Sequence, residues 1–506
     1  MKARAAAADG AVDAAAAGYA AALTAAPGDE VVAIRAYRNA LAAGDLVLAR
    51  RAAAVLVRSD VAPPDTAILA FADAVRTRDK LAIDDALGRI GAGPLDFLTP
   101  VLRAWVAFDR GGDPFPILDG ASESGLSRRY IAEHRALLLL ASKRRDEGIA
   151  ALRAAMGTDP GSIDLRWNAA SLLAGIGERR LAGELLAGDD PTMAGLRNGL
   201  VGARPGTAFA TSRVLTRLAA DLGGQETQTL AILLTRSALS LDPGDDRARL
   251  LLAAALGGEG AFDRAQLVLG TIRPTSPFYG AAQSERIELR RKQGDPAQAL
   301  ALAQSLATAR GASERDVRRY ADILSDQGRD AEAASLYADA LARAGAEATW
   351  IHHLQLGGAL ERSGNWAAAL PHLRKAVELA PDEPVALNYL GYAQVERGEN
   401  LTEAVVLLEL ANRLRPDDPA ITDSLGWGYY RSGDIARALP LLEQAAQGQP
   451  GSVTINEHLG DAYWRAGRRF EARYAWRAAS IYAEGEQKAR LATKLADGVV
   501  QRMAAN

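Results

Sequence analysis

The side chains of this sequence that could do chemistry are five histidines and a large supply of carboxylates. Metal binding by histidines on a helix needs two of them three or four residues apart on one face, with further ligands converging. The histidines stand at 134, 352, 353, 372 and 458, and no pair has that spacing. His352 and His353 are adjacent, so on a helix they point about 100° apart. They read as ordinary helix residues. The chain has no cysteine, which removes disulfides, thiolate metal sites and a cysteine nucleophile together. It has no Gly-x-Ser-x-Gly elbow, phosphate loop or dinucleotide fingerprint. Gly257-Gly-Glu-Gly260 is glycine-rich, but it lies between helical patterns rather than after a strand, and reads as a turn. With no β pattern there is no sheet to carry a site. The expectation is a non-catalytic chain without cofactor or metal.

What remains is a binding surface, and the elements that would build one repeat along the chain. Leu-Gly occurs at Leu356-Gly357, Leu390-Gly391, Leu425-Gly426 and Leu459-Gly460, with glycine spacings of 34, 35 and 34. A second glycine series, Gly328, Gly364, Gly398, Gly433 and Gly467, follows each by about seven residues. An alanine series (Ala333, Ala369, Ala404, Ala438, Ala472) comes five or six residues later, and Pro381, Pro416 and Pro450 close the units. Each series has a physical role in a pair of antiparallel helices. The first glycine lets the second helix approach. The second glycine ends the first helix in a left-handed cap. The alanine sits where two backbones cross, and proline cannot continue the helix.

These residues resemble the tetratricopeptide-repeat (TPR) family. The nearest matches are Asp423-Ser-Leu-Gly-Trp-Gly-Tyr-Tyr-Arg-Ser-Gly-Asp434 and His458-Leu-Gly-Asp-Ala-Tyr-Trp-Arg-Ala-Gly467. The preceding unit carries one extra turn residue in Arg397-Gly-Glu-Asn-Leu-Thr-Glu-Ala404. In that combination the chain is similar to long TPR proteins of the proteobacterial envelope, including lipoprotein adaptors that present substrates to carboxy-terminal processing proteases. The resemblance implies an all-α TPR superhelical solenoid of antiparallel helix pairs, about 13 units, with a C-terminal capping helix. Upstream the period is degraded: Gly294 with Ala299, Gly260 with Ala265, Gly177 with Ala182 and Gly44 with Ala49 keep the turn-to-alanine offset, and Pro243 and Pro160 fall where units should close. Breaker clusters at 91–94 and 110–116 flank a helical stretch from Leu95 to Phe108. Another irregular region, 188–206, reads as a joint between two halves. The expected segments are a degenerate arm at 1–187, divergent middle repeats at 188–313, near-consensus units at 314–486 and a cap at 487–506. The cap rests on Leu491, Leu495 and Val499 at helical spacing, in a stretch drawn from Gln487 to Met503 that includes Arg502.

In the TPR family the first helices line a concave groove. Carrying that geometry over residue by residue gives Asn388, Tyr392, Asp423, Trp427, Tyr430, Arg431, Glu457, Asp461, Trp464 and Arg465 as a protein-binding wall. Only 6% of the chain is aromatic, so an aromatic and arginine cluster there has the composition of a binding hot spot. Asp423 and Glu457 stand where chaperone-tail TPR clamps hold a carboxylate with basic residues, and acids there repel such a ligand.

Charge adds an exclusion: 59 basic against 62 acidic residues give −3, no electrostatic footprint for nucleic acid. No apolar run is long enough to span a membrane. The start, Met1-Lys-Ala-Arg4 and an alanine run, has no hydrophobic signal core; either the protein is cytoplasmic or a signal segment precedes this sequence. The resemblance implies the periplasm, an outer-membrane anchor before processing, and a carboxy-terminal processing protease with cell-wall hydrolases as partners. A cytosolic assembly scaffold or co-chaperone, and a structural part of an export or polysaccharide-secretion machine, stand as alternatives.

Overall fold

The computed structural model describes residues 2–121, 125–158, 163–188, 191–222 and 227–499. Among them every regular element is helical and no strand occurs. Of the sequence expectations, Pro160, the Asp-Asp of the 188–191 cluster, Arg502 and Met503 lie outside the described residues. The chain separates into two compact units, Met1–Ala299 and Leu300–Asn506.

The second unit is a stack of helix pairs. Glu314–Asp326 pairs with Asp330–Ala344, Trp350–Arg362 with Trp366–Leu379, and Pro384–Arg397 with Leu401–Leu414. Pro419–Arg431 pairs with Ile435–Gly448, Val453–Arg465 pairs with Arg469–Tyr482, and a single helix, Gly485–Asp497, closes the stack. The sequence sets these boundaries. Pro384 and Pro419 begin their helices behind the N-caps Glu383 and Asp418, where a missing N–H costs nothing. Gly398 and Gly433 take φ of +69° and +88°, a left-handed conformation that glycine adopts without a Cβ clash. The alanines at 333, 369, 404, 438 and 472 are fully buried. The Leu-Gly glycines act by contact: a Cβ on Gly460 would lie 2.3 Å from Trp476 Nε1, and one on Gly391 would lie 2.8 Å from Leu408 Cγ.

The first unit also contains helix pairs, such as Glu30–Ala43 with Leu46–Arg58 and Gly125–Ala141 with Arg145–Thr158. It differs from a repeat array, in which each unit touches only its neighbours. Helices Thr207–Asp221 and Gln228–Leu241 return to pack on Glu30–Ala43, Thr66–Thr77 and Thr99–Asp109. Arg236 donates to the carbonyls of Leu41 at 3.0 Å and Ala42 at 2.8 Å. Asp109 accepts from the Thr207 amide at 2.7 Å, and Tyr130 donates to Asp221 at 2.8 Å. Within the 188–206 region the Ala203 amide donates to the Ser171 carbonyl at 2.8 Å. The stretch from Leu95 is a single 3₁₀ turn, Asp96–Leu98, followed by the helix Thr99–Asp109.

Candidate protein-binding groove

The first helices of the second unit lie side by side, and their groove positions meet from helix to helix. Arg362 reaches back to Asp330 at 2.9 Å. Arg397 reaches Glu361 at 2.8 Å. The Trp427 indole N–H donates to Glu396, and His458 meets Asp423 at 2.9 Å. The bond to Asp330 reaches the start of the preceding second helix, and the other three link one first helix to the next, with partners 31 to 36 residues apart. A separation near the repeat length is what places them at matching heights.

The ten wall residues divide into two groups. Asn388, Tyr392 and Asp423 line an open concave pocket of 430 Å³, together with Glu361, Arg362 and Glu396. Asn388 Oδ1 is shielded from water and has no hydrogen-bond partner. Burial and the neighbouring Glu396 carboxylate push the Tyr392 phenol up, so it stays a neutral hydroxyl.

The remaining residues form a consolidated wall. Trp427 is sandwiched between Tyr430, 4.6 Å away centroid to centroid, and His458, 3.9 Å away. Arg431 lies over the Trp427 ring at 5.9 Å and Arg465 over the Tyr430 ring at 5.4 Å. Trp427 and Tyr430 are each only 8% exposed, so they offer edges and not open faces. Glu457 and Asp461 are buried beneath the closing helix. Arg490 grips Glu457 with two bonds of 2.8 Å, and Lys494 bridges Glu457 at 2.7 Å and Asp461 at 2.6 Å. Asp461 also accepts from the Trp476 indole at 2.9 Å. Trp464 packs against Trp476 and beneath Arg469. Burial acts to raise Glu457, but the hydrogen bonds from Arg490 and Lys494 outweigh it and hold the carboxyl down at about 2. For Asp461 burial wins over Lys494 and its pKa is raised.

Sequence reasoning passed over His458, which stacks on one face of Trp427 in the aromatic stack. The signal was present: His458 falls one position past Asp423 when the period is 34. It also passed over the meeting of His353 and His372, whose Nδ1 atoms are 3.0 Å apart across one helix pair. Their rings come from the two helices of the pair, so no linear spacing could reveal them. Burial lowers the pKa of both. Among the described residues no group of three or more His, Asp or Glu side chains is placed to hold a metal, and no helix is long and apolar enough to cross a membrane.

Two tetratricopeptide-repeat family models match the chain, at residues 350–395 and 424–487. No curated protein matches the sequence. Among solved structures, a tetratricopeptide repeat protein from Parabacteroides merdae shares 16% identity, with 49% of this chain and 96% of that one covered at a TM-score of 0.41. A thermophilic TPR protein from Thermus thermophilus shares 22%, covering 36% and 100% at 0.33. MamA from Desulfovibrio magneticus shares 18%, covering 33% and 94% at 0.30. The helix pairs on either side of the open pocket are tetratricopeptide repeats, and repeats of this kind form protein–protein interaction scaffolds.

Proposed function

We propose that the protein is an adaptor that holds a partner segment in the pocket between Glu361 and Asp423. The observation that carries this is the pocket itself. It is open and roomy, it lies on a wall stitched by side-chain bonds, and it contains an amide oxygen, Asn388 Oδ1, with no partner in the chain. A buried polar group left unpaired costs stability unless a ligand or water satisfies it. The oxygen is shielded in the free chain, so an extended segment supplies backbone N–H groups to it only as the Asn388 side chain turns into the pocket, and Tyr392 supplies a rigid amphipathic surface.

The resemblance to long envelope adaptors supports a periplasmic setting, with a carboxy-terminal processing protease and its cell-wall hydrolase substrates as the partners. The mechanism in that setting is effective concentration: two proteins held on one scaffold meet as if tethered. The test is affinity capture from envelope extracts with wild type and with Asn388→Ala/Tyr392→Ala, followed by identification of the retained proteins. A protease and hydrolases retained by wild type and lost from the variant are the expected result. Equal recovery by both proteins would overturn the pocket as the binding site, and recovery of cytoplasmic partners alone would overturn the setting.

A further inference from the structure

The outward face of helix Arg469–Tyr482 holds four large apolar side chains in solvent. Phe470 is 82% exposed, Tyr474 72%, Ile481 74% and Tyr482 62%. Phe470, Tyr474 and Ile481 are spaced four and seven residues apart, so they form one stripe along the helix. The repeat provides an internal control. Phe470 and Tyr474 stand two before and two after the buried Ala472. The same positions around Ala333, Ala369, Ala404 and Ala438 hold Ala331 and Ser335, Ala367 and Pro371, Thr402 and Val406, and Ala436 and Pro440. None of these eight is aromatic. The fold does not need aromatic side chains there, and a contiguous exposed apolar patch marks an interaction site.

Beside the stripe a hollow of 660 Å³ is lined by Leu459, Tyr463 and Ala475 and, from helix Ile435–Gly448, by Glu443 and Ala446. The charges around it argue against an anionic lipid surface. Arg468 is engaged by Glu443 and Glu471, Arg469 lies over Trp464, and Arg473 donates to the Leu495 carbonyl. Arg477 is exposed, which leaves little of the four-to-eight-residue basic cluster that lipid attraction uses. The stripe is apolar and can match itself.

We infer that the stripe is a homodimer interface, in which this helix packs antiparallel against the same helix of a second copy. A two-fold axis near the middle of the helix sets Phe470 of one copy against Ile481 of the other. It also sets Tyr474 against Arg477, a cation–π pair, and each contact occurs twice, as an isologous interface requires. With about 150–250 Å² available from an aromatic side chain, the stripe buries roughly 500 Å² per copy. The total of about 1,000 Å² is the lower end of specific interfaces, so dimerisation is weak and concentration-dependent, on the order of 10 µM. The interface lies on a second helix, away from the pocket on the first helices, and stands independently of the adaptor reading.

The test is sedimentation equilibrium of the full chain from about 1 to 200 µM, a range that brackets the expected constant, for wild type and for Phe470→Ser/Tyr474→Ser. Wild type should pass from monomer to dimer while the variant stays monomeric with an unchanged circular dichroism spectrum. The chain lacks cysteine, so Tyr474→Cys mixed with Arg477→Cys should give more disulfide dimer than either protein alone. A monomeric wild type over the whole range overturns the inference, as does a double variant that dimerises equally. Wild type that remains monomeric yet floats with anionic vesicles overturns it in favour of lipid.

Discussion

Lys494 is shared by two buried carboxylates, so replacing it with methionine tests how the closing helix is held. Its Nζ lies 2.7 Å from Glu457 and 2.6 Å from Asp461, whose side chains are 8% and 9% exposed. Lys494→Met keeps the aliphatic stem and removes the charge. Removing one partner of a buried pair costs about 3–5 kcal/mol when nothing replaces it. Here Glu457 keeps Arg490, which is itself half-exposed, and Asp461 keeps the Trp476 indole. The expected loss at pH 7 is therefore about 2–3 kcal/mol. It falls on local opening of the closing helix, because distant helices in the stack do not feel it. Hydrogen exchange by mass spectrometry over 453–497 reads this directly, as a roughly 30- to 150-fold faster exchange. The sign with pH is fixed. The Glu457 pKa lies below its unfolded value, so its stabilisation is complete above about 4.5 and is lost as pH falls toward 2. Asp461 is raised, so its ionised form costs stability above its unfolded value, and acid relieves that cost. Without Lys494 both carboxylates protonate more readily, and the gap between variant and wild type closes below about pH 4. An exchange change under about threefold at pH 7, or a gap that widens in acid, would refute the reasoning.

Three further outcomes are expected. Gly460→Ala places a Cβ against the fully buried Trp476 ring and should destabilise the last pair by about 1–3 kcal/mol in urea unfolding followed by tryptophan fluorescence. Arg236→Met strips the donors from the Leu41 and Ala42 carbonyls and should cost about 1–3 kcal/mol in the first unit, seen as a lower thermal midpoint for that unit with the second unchanged. The His353–His372 contact, with both pKa values lowered by burial, penalises the folded state as pH falls from about 6.5. Exchange in 350–379 should therefore rise below that pH in wild type and rise less in His372→Gln, measured by the same mass spectrometry.

The helix pairs of the second unit were legible because their determinants are local. A turn glycine, a crossing alanine and a closing proline recur at one period, and each acts within its own pair. The first unit was harder to read because its turns use other residues. Arg78 and Lys143 take φ of +59° and +61° where a glycine would be expected, so the glycine series breaks at those turns. Its closure was not legible at all. Arg236 meets Leu41 and Ala42 across almost two hundred residues, and no periodicity records a contact of that kind. In the groove, helix and height were readable for every wall residue from the repeat register. What each touches was not, because Arg490 and Lys494 come from the closing helix and have no counterpart in the repeat pattern.

The closing helix also sets the electrostatics of the groove. Acids at the fifth groove position, Asp423 and Glu457, suggested a repulsive site for a terminal carboxylate. Both are engaged within the chain: Asp423 by His458, and Glu457 by Arg490 and Lys494. The Glu457 charge is met by two cations, and the Asp423 carboxylate is turned toward the His458 ring. A carboxylate clamp is nonetheless disfavoured, for a different reason. Arg362 is held by Asp330, Tyr389 and Ser325, Arg397 by Glu361, and Arg431 by the Glu396 carbonyl. In the pocket itself, away from Arg465 over the Tyr430 ring, a terminal carboxylate would have to take one of these cations from its present partner, and the exchange gains little because a charge-assisted bond is lost for each one formed. An extended segment presenting N–H groups to Asn388 breaks no such bond, so the pocket favours the middle of a partner chain over its end.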